Sequence, residues 1–289
     1  MKPTEFIVEE VQPLLDFLFS RLPDSSHSHV KELLAHSVYV NGRRTTQYNF
    51  PLQPGMKVSI ERASGRDRMR PRDLDIVFED RHLLVINKHD GLLSNSKHPM
   101  DKTVITELNQ YLEATQQRCH AHIVHRLDRD TSGLMVVSKS KEVSRRFEEG
   151  WKATVFDRRY VAVAWGHIEP PKGEIRSWLT DGEYCVLSSP TDNGGKLAVT
   201  HYEVRQTSRR YSLVELRLDT GRRNQIRVHL RELQHPVVHD PMYGYKDDVS
   251  PVSRLCLHAY RLCFVHPVTG KRLRFETPVP DAFLRLMEL

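Results

Sequence analysis

Apolar and polar positions follow two rhythms along this chain, and the change from one to the other divides it. In LLDFLFSRL (14–22) the apolar residues recur at helical spacing, and SSHSHVKELLAHS (25–37) sets serine caps ahead of Val30, Leu33 and Leu34 on one face. VYVNGRRTT (38–46) alternates on either side of Asn41-Gly42, a strong two-residue hairpin signal, and PGMKVSI (54–60) reads as a turn and a strand. GRDRMRPRD (65–73) then interrupts the pattern: arginines at 66, 68, 70 and 72 with a proline leave no apolar face to bury, so it reads as a linker.

Period-two runs dominate the remainder. DIVFED and LLVINK (75–88), LMVVSKS (134–140), RRYVAVAWG (158–166), AVTHYEVR (198–205), YSLVELRL (211–218), RLCLHAYRLCFVH (254–266) and KRLRFETP (271–278) read as strands. TVITELNQYLEATQ (103–116), RRNQIRVHLREL (222–233) and a short C-terminal segment read as helices. Strands outnumber helices and do not alternate with them regularly. The expected class is therefore α+β, a mixed, largely antiparallel central sheet, with a small N-terminal module over 1–63, a basic linker over 64–73 and a main domain over 74–289.

Composition narrows the setting. The chain has 289 residues, 39% hydrophobic and 28% charged, which suits a soluble globular protein. No apolar run approaches the roughly 20 residues needed to cross a bilayer. Glu5, Glu9, Glu10 and Asp16 interrupt the N-terminal apolar residues, so no secretory leader is expected and the cytoplasm is the expected compartment, with monomer as the default state. Cys119, Cys185, Cys256 and Cys263 form no CxxC pair and are expected to be reduced. CHAHIVH (119–125) gathers three histidines and a thiol but lacks a second ligand cluster, so no metal is expected. The net charge of +6 favours an anionic partner. Residues 1–63 hold seven Lys/Arg and seven Asp/Glu, which places the whole basic excess beyond Ala63.

Two stretches concentrate candidate chemistry. VHRLDRDTSGLMVV (124–137) crowds a histidine, two arginines and two carboxylates before an apolar strand. DRDTSG has the turn formers of a charged surface turn, which accounts for much of it without any function. In DTGRRNQIRVHLREL (219–233), Arg223, Arg227 and Arg231 recur at i, i+4 and i+8 beside an apolar stripe of Ile226, Leu230 and Leu233. Such a row is a solvated face, or it lays one guanidinium beside a partly buried carboxylate and keeps it ionised.

Taken together, these motifs are similar to the signature of the RluA-type pseudouridine synthases. HRLDRDTSG resembles the family's H-R-L-D-x-x-T-S-G. EDRHLLVINKHDGLL (79–93) resembles its strand and Lys-Pro-Ala-Gly turn, RRYVAVAWG its Arg-x-Tyr strand, and GGKLAVTHYEV (194–204) its Lys-x-Ala-x-Thr strand. TGRRNQIRVHL resembles its Thr-Gly-Arg-x-His-Gln-Ile-Arg-x-His helix, and LHAYRLCFVHP with FETPVP its last strands. The likeness runs in order through residues 74–289, so the implied fold is that of a pseudouridine synthase. The N-terminal segment resembles the α-L RNA-binding module of a small-subunit ribosomal protein and several RNA-modifying enzymes, with His27 and His29 where that module usually has arginine and lysine. The alternative is a helical cap that only packs on its neighbour.

The resemblance implies an isomerase that converts uridine to pseudouridine in RNA without a cofactor. It places the catalytic aspartate on Asp128, the active-site tyrosine on Tyr160, an apolar wall on Ile226 and the aspartate's salt-bridge partner on Arg227. Arg126, Arg223, Asn41 and Arg43 become RNA-binding candidates. The residue types suit the reaction: one ionised carboxylate acts as nucleophile or as the base that removes a ribose proton, an aromatic ring stacks on the extruded base, and a planar guanidinium fills the vacated stack. Large-subunit ribosomal RNA is the expected substrate, with transfer RNA or a non-catalytic RNA-binding or ribosome-assembly role as alternatives. Asn224, His89 and His239 depart from the family's histidine, proline and glycine. A rival reading takes DRDTS for the D-x-D-x-T/V loop of aspartyl phosphatases, with KDD (246–248) as a magnesium site. That loop follows an apolar strand, whereas here the long apolar strand comes after it.

Overall fold

A computed structural model describes residues 4–60 and 71–289, except 24, 26, 37, 46 and 99, and gives the backbone alone at 28, 29, 32, 35, 36, 43 and 44. The chain forms two compact units, residues 1–70 and 71–289. The expected linker arginines Arg66, Arg68 and Arg70 lie outside the described residues.

The N-terminal unit contains β1 (Thr4–Ile7), β2 (Gln12–Pro13), α1 (Leu14–Arg21), α2 (His27–His36), β3 (Val38–Val40), β4 (Arg43–Arg44), β5 (Pro51–Leu52) and β6 (Lys57–Ile60). Four of its strands form a sheet in the order β1-β6-β3-β4, and β2 pairs with β5. Its core gathers Val8, Leu14, Phe17, Leu18, Val30 and Val58. The β3–β4 turn has Asn41 and Gly42 at φ 49° and 77°, the two left-handed residues of a tight hairpin. The side-chain carbonyl of Asn41 accepts the Lys57 amide at 2.9 Å, so this RNA-binding candidate first serves to hold its own hairpin. The Arg43 side chain lies outside the described residues.

The larger unit contains β7 (Leu74–Glu79), β8 (Leu83–Lys88), α3 (Val104–Ala114), β9 (His122–Ile123), β10 (Ser132–Ser138), α4 (Lys141–Thr154), β11 (Val155–Trp165), β12 (Lys172–Asp181), β13 (Val186–Ser189), β14 (Lys196–Thr207), β15 (Tyr211–Leu218), α5 (Gln225–Glu232), β16 (Leu257–Val265), β17 (Arg272–Glu276) and α6 (Asp281–Leu286). Nine strands follow one another in the order β13-β12-β14-β15-β11-β16-β10-β8-β7, with β17 beside β16 and β9 beside β10. The pairing is antiparallel except between β10 and β16. That parallel pair is short, Ser132 and Gly133 against His258 and Ala259. Gly133 is required there: at φ 119° a Cβ would lie 2.3 Å from the Ala259 carbonyl oxygen.

The main core packs α3, α5 and α6 against the sheet through Leu108, Leu112, Leu230, Phe283 and Val163. A second apolar layer holds α4 through Val143 and Phe147.

Candidate active site

The loop between β9 and β10 carries Asp128, and the turn after β8 pins it on both sides. Ser94 Oγ donates to the Leu127 carbonyl at 2.6 Å and accepts the Leu127 amide at 3.1 Å. The Lys88 ammonium, fully buried, donates to the carbonyls of His89, Leu92 and Arg129 at 2.9, 2.8 and 2.8 Å. Burial pulls the Lys88 ammonium down to about 8, against the opposing pull of Asp130, Asp90 and Asp128. Beyond the acid, the Thr131 amide returns to the Asp128 carbonyl at 3.1 Å, closing the turn. Ser132 Oγ then meets His258 Nδ1 at 2.7 Å and accepts from Arg254 at 2.5 Å, while Arg254 also pairs with Asp90 at 2.8 Å.

Asp128 opens into a cavity of about 270 Å³. Opposite it lies the start of α5, where Gln225 organises the approach. Its carbonyl accepts from Thr220 Oγ1 and the Arg222 amide at 2.8 and 3.0 Å, and its amide donates to Val199 and Thr200. Tyr160 enters from β11, where the register against β16 shifts between Arg159 and Val161. Such an irregularity re-aims a strand side chain. Ile226 and Leu257 supply apolar wall.

The cavity therefore brings together Asp128, Tyr160, Ile226, Arg227, Arg126 and Arg223, six of the residues singled out from the sequence. Among the described residues Asp128 is the one carboxylate lining it, with five arginines, Arg126, Arg158, Arg222, Arg223 and Arg227. Burial pushes the Asp128 carboxyl above the ordinary aspartate range, while Arg227, Arg126, Arg223 and the Asn224 backbone amide pull it down. Burial likewise raises the Tyr160 phenol, so it stays protonated near neutrality.

Arg227 corrects one expectation. Its Nε and Nη2 donate to Asp240 at 2.7 and 2.6 Å, both side chains buried, and its Nη1 donates to Asn224 Oδ1 at 3.3 Å. It makes no direct ion pair with Asp128 and acts on it through space. The planar fork has room for one bidentate carboxylate, and Asp240 occupies it. The arginine row divides: Arg223 precedes α5 and forms an exposed pair with Asp181 at 3.3 Å, Arg231 is exposed with its guanidinium 5.6 Å from the Tyr245 ring, and Arg227 between them is buried.

Two family departures have local explanations. Asn224 and His239 take φ 53° and 56°, a region where Asn and His are tolerated better than most side chains. His89 pairs with Asp75 at 3.0 Å. Asp248 of the KDD stretch is engaged internally, accepting from the Trp165 indole at 3.1 Å and from the His239 and Ser250 amides at 2.7 and 2.9 Å. Lys88, Ser94, Gln225 and Asp240 were not expected as site-shaping residues. A lysine ending an apolar strand was the available signal for Lys88.

Comparison with known proteins agrees with this architecture. A profile of RNA pseudouridylate synthases matches residues 82–232. Ribosomal large subunit pseudouridine synthase D of Escherichia coli O157:H7 is 34% identical over 298 residues, covering 96% of this chain and 90% of that protein. The protein of the same name from Vibrio parahaemolyticus is 35% identical over 288 residues, covering 92% and 86%. The solved structure of human RNA pseudouridylate synthase domain containing 1 superposes with a TM-score of 0.59 at 25% identity, covering 76% of this chain and 86% of that one. The chain belongs to the RNA pseudouridylate synthase family. It is an isomerase acting on uridine in RNA.

Proposed function

We propose that this enzyme isomerises uridine in large-subunit ribosomal RNA, with Asp128 as the catalytic carboxylate. The observation that carries the assignment is that, among the described residues, one carboxylate lines the pocket together with five arginines. The reaction breaks the base–ribose bond at nitrogen, turns the uracil and rejoins it through carbon 5, and it needs one ionised group as nucleophile or as base. Burial raises the Asp128 carboxyl, and the surrounding guanidinium charge opposes this.

The target uridine leaves its stack to reach the acid, and Tyr160 offers the loose ring a stacking surface. Ile226 keeps water from the cleaved base. Arg126, exposed at the pocket mouth, fills the gap left in the RNA with its planar guanidinium. Arg223 at the same rim meets phosphate, since its pair with Asp181 is exposed and easily exchanged. The N-terminal unit adds an RNA grip of the α-L kind. Among the described residues no helix is long and apolar enough to cross a membrane.

RNA tritiated at uracil carbon 5 tests the role of Asp128. Wild-type enzyme releases label to water and Asp128→Asn does not; release by the variant overturns the assignment. Mapping pseudouridine in ribosomal and transfer RNA with and without the gene tests the substrate, and sites confined to transfer RNA overturn it.

A further inference from the structure

Five guanidiniums line the cavity, and the described residues pair only two of them with a carboxylate: Arg227 takes Asp240 and Arg223 takes Asp181. Arg126, Arg158 and Arg222 are left without one. Arg158 is anchored on two sides. Its Nη2 donates to the Thr220 carbonyl at 3.2 Å, and its guanidinium lies over the Trp151 ring, 5.5 Å from the centre. Gly221 has no side chain to cover it: a Cβ there would stand 3.4 Å from both Nη1 and Nη2. Helix α4 departs from helical geometry at Gly150 (φ −122°, ψ 22°), and the next residue, Trp151, reaches the cavity. His125 packs against the indole at 5.1 Å and Phe147 at 6.3 Å, which fixes the ring. Arg158 Nε and Nη1 and Trp151 Nε1 have no partner among the described residues, and none of the three is sealed inside the protein.

A guanidinium carries five N–H donors, so one bond to a carbonyl leaves its fork open to a bidentate anion. Stacking on an aromatic ring orients that fork without neutralising its charge. The indole adds one neutral donor beside it. We infer that Arg158 and Trp151 form a phosphate subsite of the cavity, in which the Arg158 fork and the Trp151 N–H bind the non-bridging oxygens of one phosphodiester of the RNA strand. The inference rests on the target uridine occupying this pocket. Arg158 stands two residues before Tyr160 on β11, about 7 Å along the strand, so this phosphate belongs to the extruded nucleotide or to its immediate neighbour. Holding it there offsets the unstacking that extrusion costs. A free uridine offers no phosphodiester, so the subsite also selects uridine within a strand.

Filter binding tests this with short synthetic RNAs carrying the mapped target. In each, one linkage at or next to the target is the neutral methylphosphonate on a 2′-O-methyl sugar, matched to the same sugar with ordinary phosphate. The wild type is expected to lose about tenfold in affinity at one linkage. Arg158→Gln is expected to lose about tenfold on ordinary phosphate and to be indifferent to that same linkage. Its affinity also falls less steeply with salt, by about 0.7 in the logarithmic slope for one phosphate contact on a single strand. Trp151→Phe, which keeps a ring and removes the donor, loses affinity with its salt slope unchanged.

Equal linkage penalties in wild type and Arg158→Gln overturn the proposal, as does an unchanged salt slope in Arg158→Gln or unchanged affinity in Trp151→Phe. If Arg158→Gln melts early, Arg158→Lys decides. Its point charge keeps the salt slope while the lost fork shrinks the linkage penalty, and an undiminished penalty overturns the proposal. Failure of the wild type to release tritium from the unmodified RNA would instead count against the pocket as the site of isomerisation.

Discussion

Arg227 holds Asp240 through two hydrogen bonds of 2.7 and 2.6 Å, with both groups buried, and leaves Asp128 a neighbour in its field rather than a partner. Asp240 also accepts the Met242 and Tyr243 amides at 2.9 Å each. Removing one side of such a pair strands the other charge. Asp240→Asn is expected to cost about 3–5 kcal/mol in denaturant unfolding. Arg227→Lys, which keeps the charge and loses the fork, is expected to keep the fold and lower kcat, as single-turnover rates would show. Full activity in the lysine variant would show that orientation at this position is dispensable.

Asp128 carries a pH signature. Its folded-state carboxyl lies above its unfolded value because burial outweighs the arginines. Such a group favours the folded protein below its unfolded value, and this contribution is lost as pH rises through the folded value. Asp128→Asn is therefore expected to be at least as stable as wild type at pH 7, with the advantage fading toward pH 4. Urea melts across that range check it, and a variant less stable at pH 7 would contradict it. In the wild type, single-turnover rates are expected to fall on acidification, with a midpoint above the ordinary aspartate value.

Gly133→Ala is expected to be among the most damaging single changes, exceeding about 4 kcal/mol or preventing soluble expression. Both causes act together: the left-handed φ of 119° and a backbone oxygen 2.3 Å from the new methyl. Soluble yield and melting temperature measure it. Gly42→Ala, with positive φ but open space around it, is the milder control.

Deleting residues 1–63 is expected to weaken RNA affinity more than it slows chemistry at saturating RNA. Filter binding and single-turnover tritium release separate the two. Unchanged affinity would reduce this unit to a helical cap.

Much of the strand pattern was legible because it rests on alternation. YSLVELRL is β15 to the residue, and the Asn41-Gly42 hairpin forms with both residues left-handed. The strand at 172–181 was not expected: Ile175 and Leu179 do alternate inward, but the position between them is Ser177, buried because it bonds His229 and Glu232. Helix α4 was also missed, since Val143, Phe147 and Trp151 give it only a narrow apolar stripe among charges. At the site, spacing indicated that Arg227 mattered but not which carboxylate it grips. Asp240 lies beyond the helix, and a contact between separate segments leaves no period in the sequence.

Strand β16 lies between β11 and β10 and joins what are otherwise two sub-sheets, β7-β8-β10 on one side and β12 to β15 with β11 on the other. Asp128 belongs to the first and Tyr160 to the second. On the ribosome the chain emerges from its N-terminus, so the acid is synthesised well over a hundred residues before the strand that seats it beside its arginines. A chain that stops short of Leu257 carries Asp128, Tyr160 and Arg227 and still lacks the strand that lies between their two sub-sheets.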